Sequence, residues 1–167
     1  LASPEFKKDL TDSEIALESF QSYINAFPSS DKLEEANKHY KELRYKLQKK
    51  YFEIAKTYYT TADYDMRNYK AAIQAFDNLL EDYLGSEFKE EALYYRLKAA
   101  HDFTLKSYDR RKPERIKDAM EAYEKLIRNY PETKFKVEVD KMIAKLQKEK
   151  ERIDDLIAKS KELEDSK

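Results

Sequence analysis

Apolar residues recur at helical spacing along most of the chain, and one phrase of that pattern occurs three times. It reads A-x-x-x-[FY]-x-x-x-[IL]-x-x-[FY]-P-x-[ST]. Ala119, Tyr123, Ile127, Tyr130, Pro131 and Thr133 spell it in full, and Ala16, Phe20, Ile24, Phe27, Pro28 and Ser30 spell it earlier. Ala72, Phe76, Leu80, Tyr83 and Ser86 hold the same offsets, with Leu84-Gly85 where the proline would stand. A small residue, an aromatic one turn later and a hard stop describe a helix packed closely against neighbours. Repetition of that helix points to stacked helix pairs, because one pair cannot bury its own apolar face.

The pattern predicts motif helices over about 12–27, 68–84 and 113–130, each followed by a partner helix over about 32–61, 87–107 and 134–163. Residues 1–12 read as a loop, since Ser3-Pro4 favours an extended start. Thr11 with Glu14, and Asp31 with Glu34, fit capping boxes. The 32–61 helix has no breaker and would be roughly 45 Å long. Gly85, the single glycine, fits a left-handed helix stop. Pro113 fits a first helical position, and Thr133 the cap of the last helix. The fold expected is all-α: a tetratricopeptide-like right-handed superhelix of antiparallel helix pairs, about six helices, in one helical-repeat domain over 1–167.

The offsets match helix B of a tetratricopeptide repeat, and Ala55…Tyr58 and Ala100…Phe103 match its helix A. The first copy has no room for a helix A, so the sequence is expected to start inside a repeat and the native protein to continue N-terminally. A closer resemblance lies in Leu43-Arg44-x-x-Leu47-x-x-x-x-Phe52-Glu53-x-Ala55-x-x-Tyr58-Tyr59. It continues through Tyr69-Lys70-Ala71-Ala72-x-x-x-Phe76-x-x-Leu79-Leu80-x-Asp82-Tyr83 and Glu90-Glu91-Ala92-Leu93-Tyr94-Tyr95-x-x-x-Ala99. This run, within about residues 12–131, resembles the BamD family of outer-membrane lipoproteins of the β-barrel assembly machinery.

The resemblance implies a non-catalytic periplasmic scaffold, anchored to the outer membrane in the full-length protein, that takes part in assembly and insertion of β-barrel proteins. Its implied partners are BamA-like periplasmic domains and other subunits of the machinery. The membrane would be reached only through a lipid anchor on an N-terminal cysteine, which these residues do not include. The family's N-terminal repeats, which engage the unfolded barrel substrate, are likewise not among them. The third copy and the final helix extend past shorter family members. The loop at 62–67 differs in length from the family's, so no BamA contact is carried over residue by residue.

Composition narrows the alternatives. Charged residues are 40%, with 1 glycine and 4 prolines, which suits long solvated helices. Net charge is −1, which gives no reason to expect nucleic acid as partner. The absence of cysteine removes thiol chemistry and Cys-ligated zinc. No apolar run approaches the ~20 residues that span a bilayer. His39 and His101 are the only histidines. Neither has the spacing of a metal site, no glycine-rich loop can cradle a phosphate, and no catalytic set or cofactor is expected.

Aromatic and local charge distribution carry what remains. Phe20, Phe76 and Tyr123 are expected in the core. The doublets Tyr58-Tyr59 and Tyr94-Tyr95 cannot both point inward, since helix neighbours lie about 100° apart. Residues 38–50 carry +5, residues 106–117 carry +4 and residues 77–91 carry −5, patches able to steer a charged partner. Ile143, Leu146, Ile153 and Ile157 form a stripe on the last helix, which is expected to pack and then protrude. Function is expected in the segments that do not repeat. The partner-binding candidates are Arg44 and Tyr59 on the distinctive helix, Tyr64 and Arg67 in the first long loop, Tyr95 of the second doublet, and Arg110 and Arg111 in the basic loop. The competing reading is a tetratricopeptide adaptor that binds a partner peptide in a concave groove.

Overall fold

A computed structural model describes residues 4–165, and the side chains of 10–162. Six α-helices follow one another: α1 (Pro4–Ala26), α2 (Leu33–Thr61), α3 (Arg67–Asp82), α4 (Lys89–Leu105), α5 (Lys112–Asn129) and α6 (Lys136–Asp165). A short 3-10 turn, Asp109–Arg111, precedes α5. There is no strand among the described residues. The fold is all-α and tetratricopeptide-like, as the repeat predicts.

The start of the chain differs from expectation. Residues 4–12 are not a loop: Pro4 opens α1, and no breaker follows until Phe27-Pro28. Proline's fixed φ suits a first helical turn. Residues 1–3 lie outside the described residues. Thr11 and Glu14 therefore sit inside a helix and cannot form a capping box. Asp31 and Glu34 do not form one either, because Ser30 takes the role. Its hydroxyl oxygen accepts the Lys32 N–H at 3.1 Å, and its carbonyl accepts the Leu33 N–H.

The same device recurs at the end of each phrase. Ser86 Oγ accepts from the Phe88 N–H at 3.1 Å, and Thr133 Oγ1 from the Phe135 N–H at 3.3 Å. The [ST] of the repeat is thus the turn that launches the next helix. Before it, the stop works by two chemistries. In the second copy Gly85 takes φ +78°, and Tyr83 N–H closes back on the Leu79 carbonyl. In the third, Tyr130 N–H does so on Leu126, and Pro131 follows.

The chain forms two compact units that meet inside α2, residues up to Tyr51 and residues from Phe52 onward. In the first unit α1 pairs with the start of α2. Tyr23 Oη and Ser30 Oγ are 2.7 Å apart, the Phe20 ring lies 5.9 Å from the His39 ring, and Tyr51 donates to Glu14. Ala36 is buried here, whereas Phe20 is only half-buried, short of the core position expected of it.

The second unit holds most of the core. Ala72 and Ala119 have no exposed surface, which lets α3 and α5 approach α4 closely, and α4 is the central element packed on both. Phe76 is fully buried; Tyr123 is half-buried, so its copy is filled chiefly by Leu126. Arg96 of α4 clamps the three helices. Its guanidinium donates to Asp118 Oδ1 of α5 at 2.6 Å and to Asp77 Oδ1 of α3 at 3.3 Å. The α6 stripe packs through Ile143, Leu146 and Ile153, then runs out at the exposed Leu156 and Ile157.

Candidate partner-binding surface

The unit from Phe52 onward is held by an aromatic spine, which decides which tyrosines remain available. Phe52 meets the rings of Phe76, Phe88 and Tyr95 at 5.9, 5.4 and 6.0 Å. Tyr95 stacks on Phe76, and Tyr94 lies flat on Phe135 of α6 at 3.9 Å. The doublets split as helix geometry requires: Tyr94 is buried and Tyr95 half-buried, Tyr59 half-buried and Tyr58 exposed.

Tyr59 is committed to the interior by its hydroxyl, which donates to Asp102 Oδ2 at 2.7 Å. Burial and that bond to a carboxylate push the phenol well above its ordinary range. Asp102 also holds the buried His101 through Nδ1 at 2.7 Å. Burial would raise the Asp102 carboxyl, but the bonds from His101 and Tyr59 win and hold it below the usual carboxylate range. The trio stitches α2 to α4. No group of acidic or imidazole side chains able to hold a metal ion occurs among the described residues.

The two long loops come together. α3 starts and α4 ends at the same end of their antiparallel pair, so residues 62–66 and 106–111 are neighbours there. Asp63 ties them: it accepts from Lys106 of the other loop and from Tyr69 Oη at 2.6 Å. Those bonds keep Asp63 below the ordinary carboxylate range, Lys106 contributing most. Arg67 pairs with Asp65 at 2.7 Å. Behind the second loop, Arg152 of α6 donates to Asp109 at 3.1 Å and Lys112 pairs with Glu149. Ion pairs thus brace both loops, beside the buried Ala62 and Ser107.

What this braced end offers outward is aromatic and cationic. Tyr64 is 93% exposed and Tyr108 90%. The Arg67 side chain is 90% exposed, and Arg110 and Arg111 also face solvent. Tyrosine and arginine are the residue types that dominate binding energy at protein interfaces. Of the candidates read from sequence, Tyr64, Arg110 and Arg111 lie on these loops, and Arg67 opens α3 directly after the first of them. Tyr59 and Tyr95 lie in the aromatic spine, and Arg44 lies half-buried on α2 in the first unit. Tyr108 is not among those candidates, and the sequence signal for it is that it is the only aromatic in the basic loop.

These features define a class: an all-α, tetratricopeptide-like helical-repeat protein. The chain belongs to the YfiO family of outer membrane lipoproteins, whose family model matches residues 2–113 and 62–159. The two matched stretches overlap over 62–113, the α3–α4 pair, as expected where a repeated helix pair can be read in two registers. Comparison with curated proteins finds no match.

Proposed function

We propose that the chain is a non-catalytic scaffold on the periplasmic side of the outer membrane that takes part in assembling and inserting β-barrel proteins. The observation that carries this reading is the family match over nearly the whole chain. The braced loop surface supports it, since a scaffold acts by presenting side chains rigidly. Its partners are protein domains, of the BamA-like periplasmic type and other subunits of the same machinery. Tyr64, Arg67, Tyr108, Arg110 and Arg111 would make the contact. The cationic side chains steer an acidic face into place, and the two tyrosines supply apolar area with a polar tip.

The test is depletion of the full-length protein in its host, followed by measurement of folded outer-membrane β-barrels through their heat-modifiable migration in gels. The expected result is a fall in folded barrels with unfolded precursors accumulating. Normal barrel levels after complete depletion would overturn the reading.

A further inference from the structure

Two cations set deep in the second unit are each met by carboxylates. Arg96 pairs with Asp77 and Asp118, and Lys112 with Glu149 and Asp109. Arg115, half-buried near the start of α5, is met by none among the described residues. Its Cζ sits 3.6 Å from the centre of the Phe103 ring, and Phe103 itself stacks on Tyr69 at 5.7 Å. Its Nη1 donates to Ser107 Oγ, whose own proton goes to the Phe103 carbonyl. Burial first, and the neighbouring Arg111 charge second, push this guanidinium below its ordinary value, and Glu114 opposes them only weakly.

A cavity of about 490 Å³ opens beside Arg115. α3 and α5 form its walls, each packed on α4, and the buried Ala100 and Phe103 of α4 form its floor. It therefore lies between two repeats, with a helix on either side, and not at an end of the array. Lys70 of α3 and Arg111, just before α5, line it together with Arg115. The carboxylates in the lining are Glu114 and Asp118, and Asp118 is taken by Arg96 at 2.6 Å. Glu114 alone is left to answer the three cations. A charge withdrawn from water without a partner costs stability, and an anion that enters relieves that cost. A guanidinium pressed on an aromatic ring is also held in place beforehand, and its remaining N–H groups match a carboxylate in a two-point contact.

We infer that this cavity receives the carboxylate of an aspartate or glutamate side chain of the scaffold's protein partner, with Arg115 as its main ligand and Lys70 and Arg111 at the rim. The inference rests on the scaffold reading and adds the chemical group that is recognised. Charge complementarity selects the carboxylate, and Glu114 beside the cations disfavours a dianion such as phosphate. Continuity selects the source. Arg111 belongs both to the cavity and to the loop surface, so a domain seated on the loops brings its own acidic side chains to the mouth.

The experiment uses the full chain with isotope-labelled nitrogen and follows the Arg115 Nε–H signal by NMR, assigned by its loss in Arg115→Gln. N-acetyl-glutamate amide is compared with N-acetyl-glutamine amide, with sodium chloride balancing the ionic strength. The signal should move with the glutamate compound and stay with the glutamine compound. In Lys70→Glu, an exposed position that leaves the fold intact, the initial slope should fall about threefold. Unlabelled BamA-like periplasmic domains are then added. Arg115→Gln should weaken their binding at least about tenfold, the loss typical of a central anchor, and thermal melting checks that it remains folded. An equal response to the glutamine compound, or a steeper one to inorganic phosphate, would overturn the carboxylate assignment. Equal binding of the domains by wild type and both variants would overturn the inference and leave the scaffold reading standing. Domains that do not bind wild type, while the glutamate compound still moves Arg115, would strike the scaffold reading and leave the carboxylate site standing.

Discussion

Ala119→Trp tests the packing register that everything else depends on. Ala119 has no exposed surface and lies where α5 meets α4. An indole there must displace neighbours in an interior without voids. Overfilling of this kind costs about 1–3 kcal/mol. At roughly 2–4 °C per kcal/mol for a domain of this size, the melting temperature should fall by about 2–12 °C. Ala16→Trp is the internal control, since Ala16 is half-buried and lines an open cavity of about 710 Å³. The same indole should fit there and shift the transition by less than about 2 °C. Differential scanning calorimetry of the two variants beside wild type gives the comparison. Equal shifts, or no shift for Ala119→Trp, would show that the copies are not packed as described and that the register is wrong.

Other perturbations report on separate parts of the structure. Arg96→Met removes the clamp between Asp77 and Asp118. Those carboxylates are partly exposed, so the loss is set by charged hydrogen bonds, about 1.5–3 kcal/mol in urea unfolding; restoration by Arg96→Lys would argue against the forked geometry. Gly85→Ala meets no atom within 4 Å but forces a side chain to φ +78°, so about 1–2 kcal/mol should be lost to backbone strain alone, and Gly85→Asn should lose less. Glu149 is held down to about 2, first by the bond from Arg152 and then by that from Lys112. A depressed carboxylate adds stability above its unfolded value near 4 that disappears as pH falls towards 2. Melting temperature should therefore decline across that window, and the decline should be shallower in Glu149→Gln. Parallel pH profiles would remove Glu149 from the account.

The repeat was legible because its logic is local. Small Ala72 and Ala119, the aromatic one turn later and the stop after the motif can all be read without knowing the neighbours. The helix starts were less legible. Pro4 has the same φ in an extended strand and a first helical turn, so Ser3-Pro4 alone could not decide. Ser30 and Asp31 both have the chemistry of a cap, and only geometry selects Ser30. Long-range pairing was invisible: Arg96 finds Asp77 and Asp118, and Asp63 finds Lys106, only once three helices have stacked. The same limit divided the candidate residues. Exposure of Tyr64, Arg110 and Arg111 follows from their place in loops and that of Arg67 from its place at a helix start, whereas Tyr59 and Tyr95 had two possible faces.

The most direct measurement of the scaffold reading is isothermal titration calorimetry of the full-length protein with purified BamA-like periplasmic domains from the same host. Wild type should bind. A Tyr64→Ala, Tyr108→Ala, Arg111→Glu triple variant should lose at least about tenfold in affinity, with its melting temperature unchanged because all three side chains face solvent. Ala16→Trp should bind like wild type. No binding by wild type, or undiminished binding by a folded triple variant, would contradict the account.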